Sequence, residues 1–274
     1  MDRSLTIVVP TLGKRAAWLR DCLYSITLQG EENCRIIVVA PDSADLSVCD
    51  QFDVETSRYN GRGMSRAINH GWSLDPTSDY ISWLGDDDLL APGSLRATAA
   101  FLDGNPRCSM VYGRVRYIDA DSSSLWMSHP TRFAAPYLRV GKNLVSQQGS
   151  LVRRSAASRI GYLDADLMNA MDQDFFTRLR AVGRRAYIPR ELGAFRWHAS
   201  SITSQKHSRN ESELVRRRHL SSTQLRAYCA WRIVGRHFDW AVDAAVRRLP
   251  APSVPRRDGL PYIEPQVVLG MKTR

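Results

Sequence analysis

The 274-residue chain lacks any run of about eighteen apolar residues, so its sequence offers no helix that would span a bilayer. Cysteine is scarce. The five present, Cys22, Cys34, Cys49, Cys108 and Cys229, include no pair at the close spacing of a zinc site or a thiol–disulfide motif. They read as reduced thiols in a cytoplasmic protein. The apolar run Leu5–Pro10 is too short for a leader peptide and reads as a buried strand. No internal repeat is found. With 43% hydrophobic and 24% charged residues, the composition excludes a disordered chain, a collagen-like fibre and a disulfide-stapled miniprotein. A core of ordinary size is expected.

What the chain has in excess is positive charge, unevenly placed. The formal net charge is +10, and residues 204–274 hold 14 Lys+Arg against 6 Asp+Glu, which is +8. The preceding 203 residues are therefore close to neutral. A basic segment of this kind suits an anionic substrate, an anionic membrane surface or nucleic acid, or is simply a solvated helical face.

Along the chain, apolar runs alternate with helical patterns. Strands are expected at 5–10, 35–40, 79–84 and 109–113, with helices at 16–28, 63–73 and 92–102. Strands that are apolar throughout and separated by helices predict an α/β fold, a mostly parallel sheet covered by helices on both faces. Ligands bind such sheets beyond the carboxyl ends of the strands, where Thr11, Asp42 and Asp86–Asp88 lie. Residues 122–148 are irregular and rich in aromatic and basic side chains. A short strand (149–152), a helix (172–182) and a strand (184–189) follow. Residues 211–249 are mostly helical in pattern, and 250–274, with five prolines, read as an extended tail.

Three groups carry chemistry. Gly85-Asp86-Asp87-Asp88 puts three carboxylates on one loop, which suits Mg²⁺ or Mn²⁺ shared with substrate phosphates. The same acids equally suit the N-terminus of the helix that follows. Asp172 and Asp174, at the start of a helix, are either caps or a general base aimed into a cleft. Arg196-Trp197-His198 offers phosphate or metal contacts, or a structural histidine.

Taken in order, the motifs resemble the family 2 inverting glycosyltransferases. The resemblance covers about Leu5–Thr203 and rests on Thr6-Ile7-Val8-Val9-Pro10-Thr11, Ile36–Val39, Asn60-Gly61…Ala67-Ile68-Asn69-His70-Gly71, Trp83-Leu84-Gly85-Asp86-Asp87-Asp88, Gly161-Tyr162-Leu163-Asp164, Met171-Asp172-Gln173-Asp174 through Arg178, and Arg196-Trp197-His198 through Ile202-Thr203. It implies a GT-A (Rossmann-like) catalytic domain at 1–203, with a donor half about 1–121 and an acceptor half about 122–203, followed by a basic helical extension at 204–274. It implies metal-dependent transfer of a sugar, with inversion, from a nucleotide-diphosphate donor to an acceptor hydroxyl, in cell-surface polysaccharide or glycolipid synthesis.

By the same resemblance Asp172 is the catalytic base, and Asp88 and His198 hold the divalent metal. Pro10, Thr11, Asp42, Asn60, Arg66, Asp86, Asp87 and Arg196 contact the donor, and Gln148 lies among the acceptor contacts. In the irregular stretch 122–148, Trp126, Phe133 and Tyr137 are either aromatic contacts for the acceptor, a saccharide or a lipid-linked one, or core-packing residues.

Three features depart from the family pattern. Asp42 stands beyond the strand end where the family carries an acid. Met171 replaces the Glu that precedes the base. Leu12-Gly13-Lys14-Arg15 is more basic than the usual turn, which suggests an extra phosphate contact.

In 225–249 an apolar stripe with flanking arginines suits either a peripheral place at the inner face of the cell membrane or packing on the protein. The competing readings are a sugar-1-phosphate nucleotidyltransferase and a nucleic-acid-binding protein. The first lacks its Gly-rich phosphate loop, and the second any base-stacking motif, so no nucleic acid is expected.

Overall fold

A computed structural model describes residues 3–139, 143–198, 208–226 and 228. Its elements are β1 (Leu5–Pro10), α1 (Ala16–Thr27), β2 (Cys34–Ala40), β3 (Glu55–Arg58), α2 (Met64–Ser73), β4 (Tyr80–Trp83), β5 (Leu89–Leu90), α3 (Ser94–Asp103), β6 (Cys108–Ile118), β7 (Ser124–Met127), α4 (Ala134–Tyr137), β8 (Leu151–Arg153), α5 (Arg154–Arg159), α6 (Met171–Arg178), β9 (Arg184–Arg196) and α7 (Ser208–His219).

The strands form one sheet in the order β3-β2-β1-β4-β8-β6-β9-β5, with β7 on β6. Its first four strands are parallel. Beyond β4 the sheet is mixed: β8 runs antiparallel to both β4 and β6, whereas β6 and β9 are parallel.

Successive side chains of a strand point to opposite faces, and each face has its own core. Ile7 and Val9 of β1, with Ile36 and Val38 of β2, pack against Leu19, Leu23 and Ile26 of α1 and Leu95 and Leu102 of α3. On the other face Val8, Ile37 and Val39 meet Ile68 and Trp72 of α2 and Phe175 and Phe176 of α6. Gly71 lets α2 approach β1: a Cβ there would lie 2.6 Å from a Val8 methyl.

The strands expected at 109–113 and 184–189 are both longer than their apolar runs. Each continues through charged residues because the two pair over their whole length, and Arg116 and Glu191 form a cross-strand ion pair at 2.7 Å. Within the irregular 122–148 stretch the chain makes β7 and the single turn α4.

Two minor pairings shape the functional region. β5 runs antiparallel to the end of β9, which brings the acidic loop 86–88 beside Arg196 and His198. The β4–β8 pairing brings Gln148, just ahead of β8, beside the same loop. No helix among the described residues is long and apolar enough to cross a membrane. The stripe at 225–249 lies outside the described residues except at 225, 226 and 228.

Candidate active site

The carboxyl ends of β1, β2 and β4 open onto a cleft of about 610 Å³. Pro10, Thr11, Asp86, Asp87, Asp88, Gln148 and Asp172 all line it. Two carboxylate groups more than eighty residues apart in sequence therefore share one crevice.

The acidic loop is held from three sides. Thr11 Oγ1 donates to Asp86 Oδ2 at 2.6 Å. Arg15 reaches across with a forked grip, Nη2 on Asp86 Oδ1 at 2.6 Å and Nη1 on Asp87 Oδ2 at 2.7 Å. His198 Nε2 lies 2.8 Å from the same Asp87 oxygen. Burial pushes the Asp86 carboxyl above its ordinary range, and the Thr11 and Arg15 bonds oppose this.

Asp88 differs from its two neighbours. It is 3% exposed. Gln148 Nε2 donates to its Oδ2 at 2.7 Å and the Arg196 backbone N–H to its Oδ1 at 3.0 Å. Burial first, and the Asp87 charge second, push its carboxyl well above the ordinary range. Burial first, and the charges of the same carboxylates after it, push the Cys22 thiol well up.

Arg196 stands behind this loop rather than on the cleft wall. It is fully buried. Its Nε donates to Asp87 O at 2.9 Å, and its Nη1 donates to Asp119 O, Ala120 O and Ser122 Oγ. The guanidinium also lies 5.1 Å over the Trp18 ring, which in turn contacts the His198 ring.

Asp172 sits in the first turn of α6. Gln173 N–H donates to its Oδ1 and Asn143 Nδ2 to its Oδ2, both at 2.7 Å. Burial raises its pKa from 3.8 to about 6 despite these donors, with a smaller push from the Glu211 charge. Asp174, two residues on, has the opposite fate. It bonds His219 at 2.9 Å and Arg178 at 2.6 Å, and those contacts hold its carboxyl below the usual range against its burial.

The other expected residues lie outside the cleft lining. Asp42 and Asn60 bond each other, the Asp42 N–H on Asn60 Oδ1 at 3.0 Å and Asn60 Nδ2 on Asp42 Oδ2 at 2.5 Å. They brace the wall formed by Pro41, Tyr59 and Gly61. Arg66 makes an exposed ion pair with Asp166 at 2.8 Å. Of the expected aromatic residues, Trp126 stacks on Tyr117 at 4.5 Å, Phe133 is exposed and Tyr137 lies in α4. The aromatic residues that line the cleft are instead Tyr59, Trp83, Tyr117, Phe195 and Trp197.

Sequence reasoning missed Asn143 as the partner of Asp172. It also missed Glu211, and the ion pairs that Arg15 makes with the acidic loop. Arg15 alone carried a signal, the unusually basic turn after β1.

Among the described residues no three His, Cys, Asp or Glu side chains form a ready-made metal cage. Mg²⁺ and Mn²⁺ need no such cage, since they keep water and phosphate oxygens beside one or two carboxylates. The residues present fit that requirement. Both oxygens of the buried Asp88 accept from uncharged amides while a second carboxylate stands next to it.

The family described as Glycosyl transferase family 2 matches residues 6–172. Among solved structures, the chain is similar to S. aureus TarS 1-349 in complex with UDP (TM-score 0.62, 14% identity, 86% of this chain and 72% of that one). It is also similar to the mannosyltransferase PcManGT from Pyrobaculum calidifontis in complex with GDP-Man and Mn²⁺ (TM-score 0.54, 18% identity, 98% and 69%). Against the other TarS structures it spans 60% of the 1-349 chain and 37% of the longer chain. At such identities the likeness is one of fold. No curated protein matches the chain. The family match takes in β1, the acidic loop and Asp172, and more than half of the sequence: the chain belongs to glycosyl transferase family 2.

Proposed function

We propose that the chain moves a sugar from a nucleotide-diphosphate donor to an acceptor hydroxyl, with inversion and with a divalent metal. The observation that carries this reading is the position and state of Asp172: a carboxylate raised to about 6, lining the same cleft as the buried Asp86–Asp88 loop. A general base works best when its pKa lies near the working pH. Asp172 takes the acceptor proton as the hydroxyl attacks, and Asn143 Nδ2 and the Gln173 N–H fix the orientation of its carboxylate.

Asp88, with His198 beside Asp87, would hold Mg²⁺ or Mn²⁺, which when bound supplies positive charge to the departing diphosphate. Gln148 keeps Asp88 oriented for this. Thr11 and Asp86, linked to each other at the end of β1, face the nucleoside part of the donor. Tyr117, Phe195 and Trp197 offer flat apolar faces to an acceptor ring. The UDP in the TarS structure and the GDP-Man and Mn²⁺ in the mannosyltransferase structure support a nucleoside diphosphate as the ligand class.

A role in cell-surface polysaccharide or glycolipid synthesis, a cytoplasmic location and peripheral membrane contact through 204–274 belong to the same proposal. The test is a panel of UDP- and GDP-sugars with sugar acceptors, read as nucleoside diphosphate released with and without Mn²⁺. One donor turned over only with metal, to a product of inverted anomeric configuration, is expected. Turnover unaffected by chelator, or a product of retained configuration, would refute the reading.

A further inference from the structure

α6 begins without a capping side chain at its N-cap, Ala170, and within its first turn Asp172 Oδ1 accepts the Gln173 N–H. A helix start leaves backbone N–H groups without intrahelical partners. Here the chain just before the helix is held by a carboxylate from about forty residues downstream. Glu211, in the first turn of α7, accepts the N–H of Met168 at 2.9 Å on one oxygen, and those of Asn169 and, at 2.6 Å, Ala170 on the other. Asp172 is two residues further on.

α7 is also fastened beyond that grip. Val215 is buried in the same apolar cluster as Met171, Phe175 and Phe176. Arg218 pairs with Asp164 at 2.9 Å and His219 with Asp174 at 2.9 Å. Arg139 donates to His219 O and to Gln224 Oε1.

We propose that Glu211 is a positioning residue for Asp172: its carboxylate fixes the 168–170 backbone and so sets where the base points in the cleft. The proposal rests on Asp172 being the base, and it makes α7 part of the catalytic machinery.

The charged groups around α6 are Glu211, Arg218 and His219 from α7, Asp164 ahead of the helix, and Arg185 of β9, which donates to Phe176 O. Asp174 and Arg178 pair with each other on α6 itself. The negative charge of Glu211 also works to raise the pKa of Asp172.

Glu211→Gln keeps the shape but removes the charge and turns an amide NH₂ toward N–H donors. In the full chain, ¹³C NMR of the aspartate carboxyls follows Asp172, whose signal is assigned by its loss in Asp172→Asn. The wild-type midpoint near 6 is expected to fall by about half a pH unit or more in Glu211→Gln. Turnover is expected to drop about tenfold or more, since small displacements of a reacting group are costly, with KM for the donor little changed. Molecules that lose the fold also lose the burial that raises this group and titrate near the ordinary 3.8, so the midpoint is read only on the signal of the folded fraction, whose size is checked by circular dichroism.

Glu211→Asp keeps the charge at shorter reach. Its midpoint should stay near the wild-type value while turnover falls less than in the Gln variant. It carries the test if Glu211→Gln does not fold. Glu211→Gln with wild-type midpoint and turnover, or Glu211→Asp with wild-type turnover, overturns the proposal. Failure of the base assignment looks different: Asp172→Asn would then turn over normally whatever is done at 211.

Discussion

Replacing Asp172 by Asn separates what this residue does for the reaction from what it costs the fold. The folded carboxyl titrates at about 6 against an ordinary 3.8, chiefly because it is buried. At ~1.4 kcal/mol per pH unit, that difference amounts to about 3 kcal/mol of destabilisation once the group is ionised in both states. The sign follows from proton binding: between the two pKa values the folded state holds the proton and the unfolded state does not. Stability therefore falls as pH rises from about 4 to 6 and stays reduced above that.

Asn carries no charge and escapes the penalty, but it forfeits a hydrogen bond. Asn143 donates to Asp172 Oδ2, while its own oxygen is already committed to the Val145 N–H at 3.0 Å, so it does not turn over freely. The lost bond offsets about 1–2 kcal/mol. Asp172→Asn should thus be more stable than wild type by about 1–2 kcal/mol at pH 8, a rise of about 2–8 °C in Tm. Below pH 4 the advantage should vanish. Turnover should fall by about 10²–10⁴-fold with donor affinity kept. Thermal unfolding of both proteins from pH 4 to 8, with single-turnover rates at pH 7.5, tests both halves. A stability difference independent of pH, or an Asn variant with near-normal turnover, refutes the reasoning.

Three further outcomes follow. Gln148→Ala removes the amide that orients Asp88, and Mn²⁺ affinity, measured by calorimetry with a nucleoside diphosphate present, should weaken by about 10–100-fold; an unchanged isotherm would count against Asp88 as the metal-binding carboxylate. Arg154, 6% exposed, donates to Ser78 O and Trp72 O, both at 3.0 Å, and to the Ser78 hydroxyl. Arg154→Met should cost about 3–5 kcal/mol in urea unfolding, with turnover per folded molecule unchanged. Gly149 has φ of +73°, and a Cβ there would lie 2.6 Å from the Leu192 carbonyl carbon. Gly149→Ala should lose about 2–4 kcal/mol and, by moving Gln148, also weaken the Mn²⁺ response.

One short helix, α6, holds two acids in different states. Asp172 and Asp174 are alike in sequence, and either suits a cap or a base. Their surroundings separate them. Asp174 is given two basic partners and is held ionised. Asp172 is given only amides, and burial holds its proton until near neutrality.

The strands β1, β2 and β4 were readable from their apolar runs, because a parallel strand covered on both faces must be apolar throughout. The helices α1, α2 and α3 followed from their spacing, and the acidic loop from its place after a buried strand. The longer reach of β6 and β9 was not readable, since Arg114, Arg116 and Glu191 join the sheet only through pairing with each other's strand. Nor was the site as a whole. Local pattern names carboxylates and amides but says nothing of which meet. That Arg15 grips Asp86 and Asp87, that Asn143 holds Asp172, and that Glu211 ties down the chain ahead of it were decided by tertiary contacts across 71, 72, 29 and about forty residues. Sequence sets the chemistry available at each position. Burial and partners, which exist only once the sheet has closed, set the charge each group keeps.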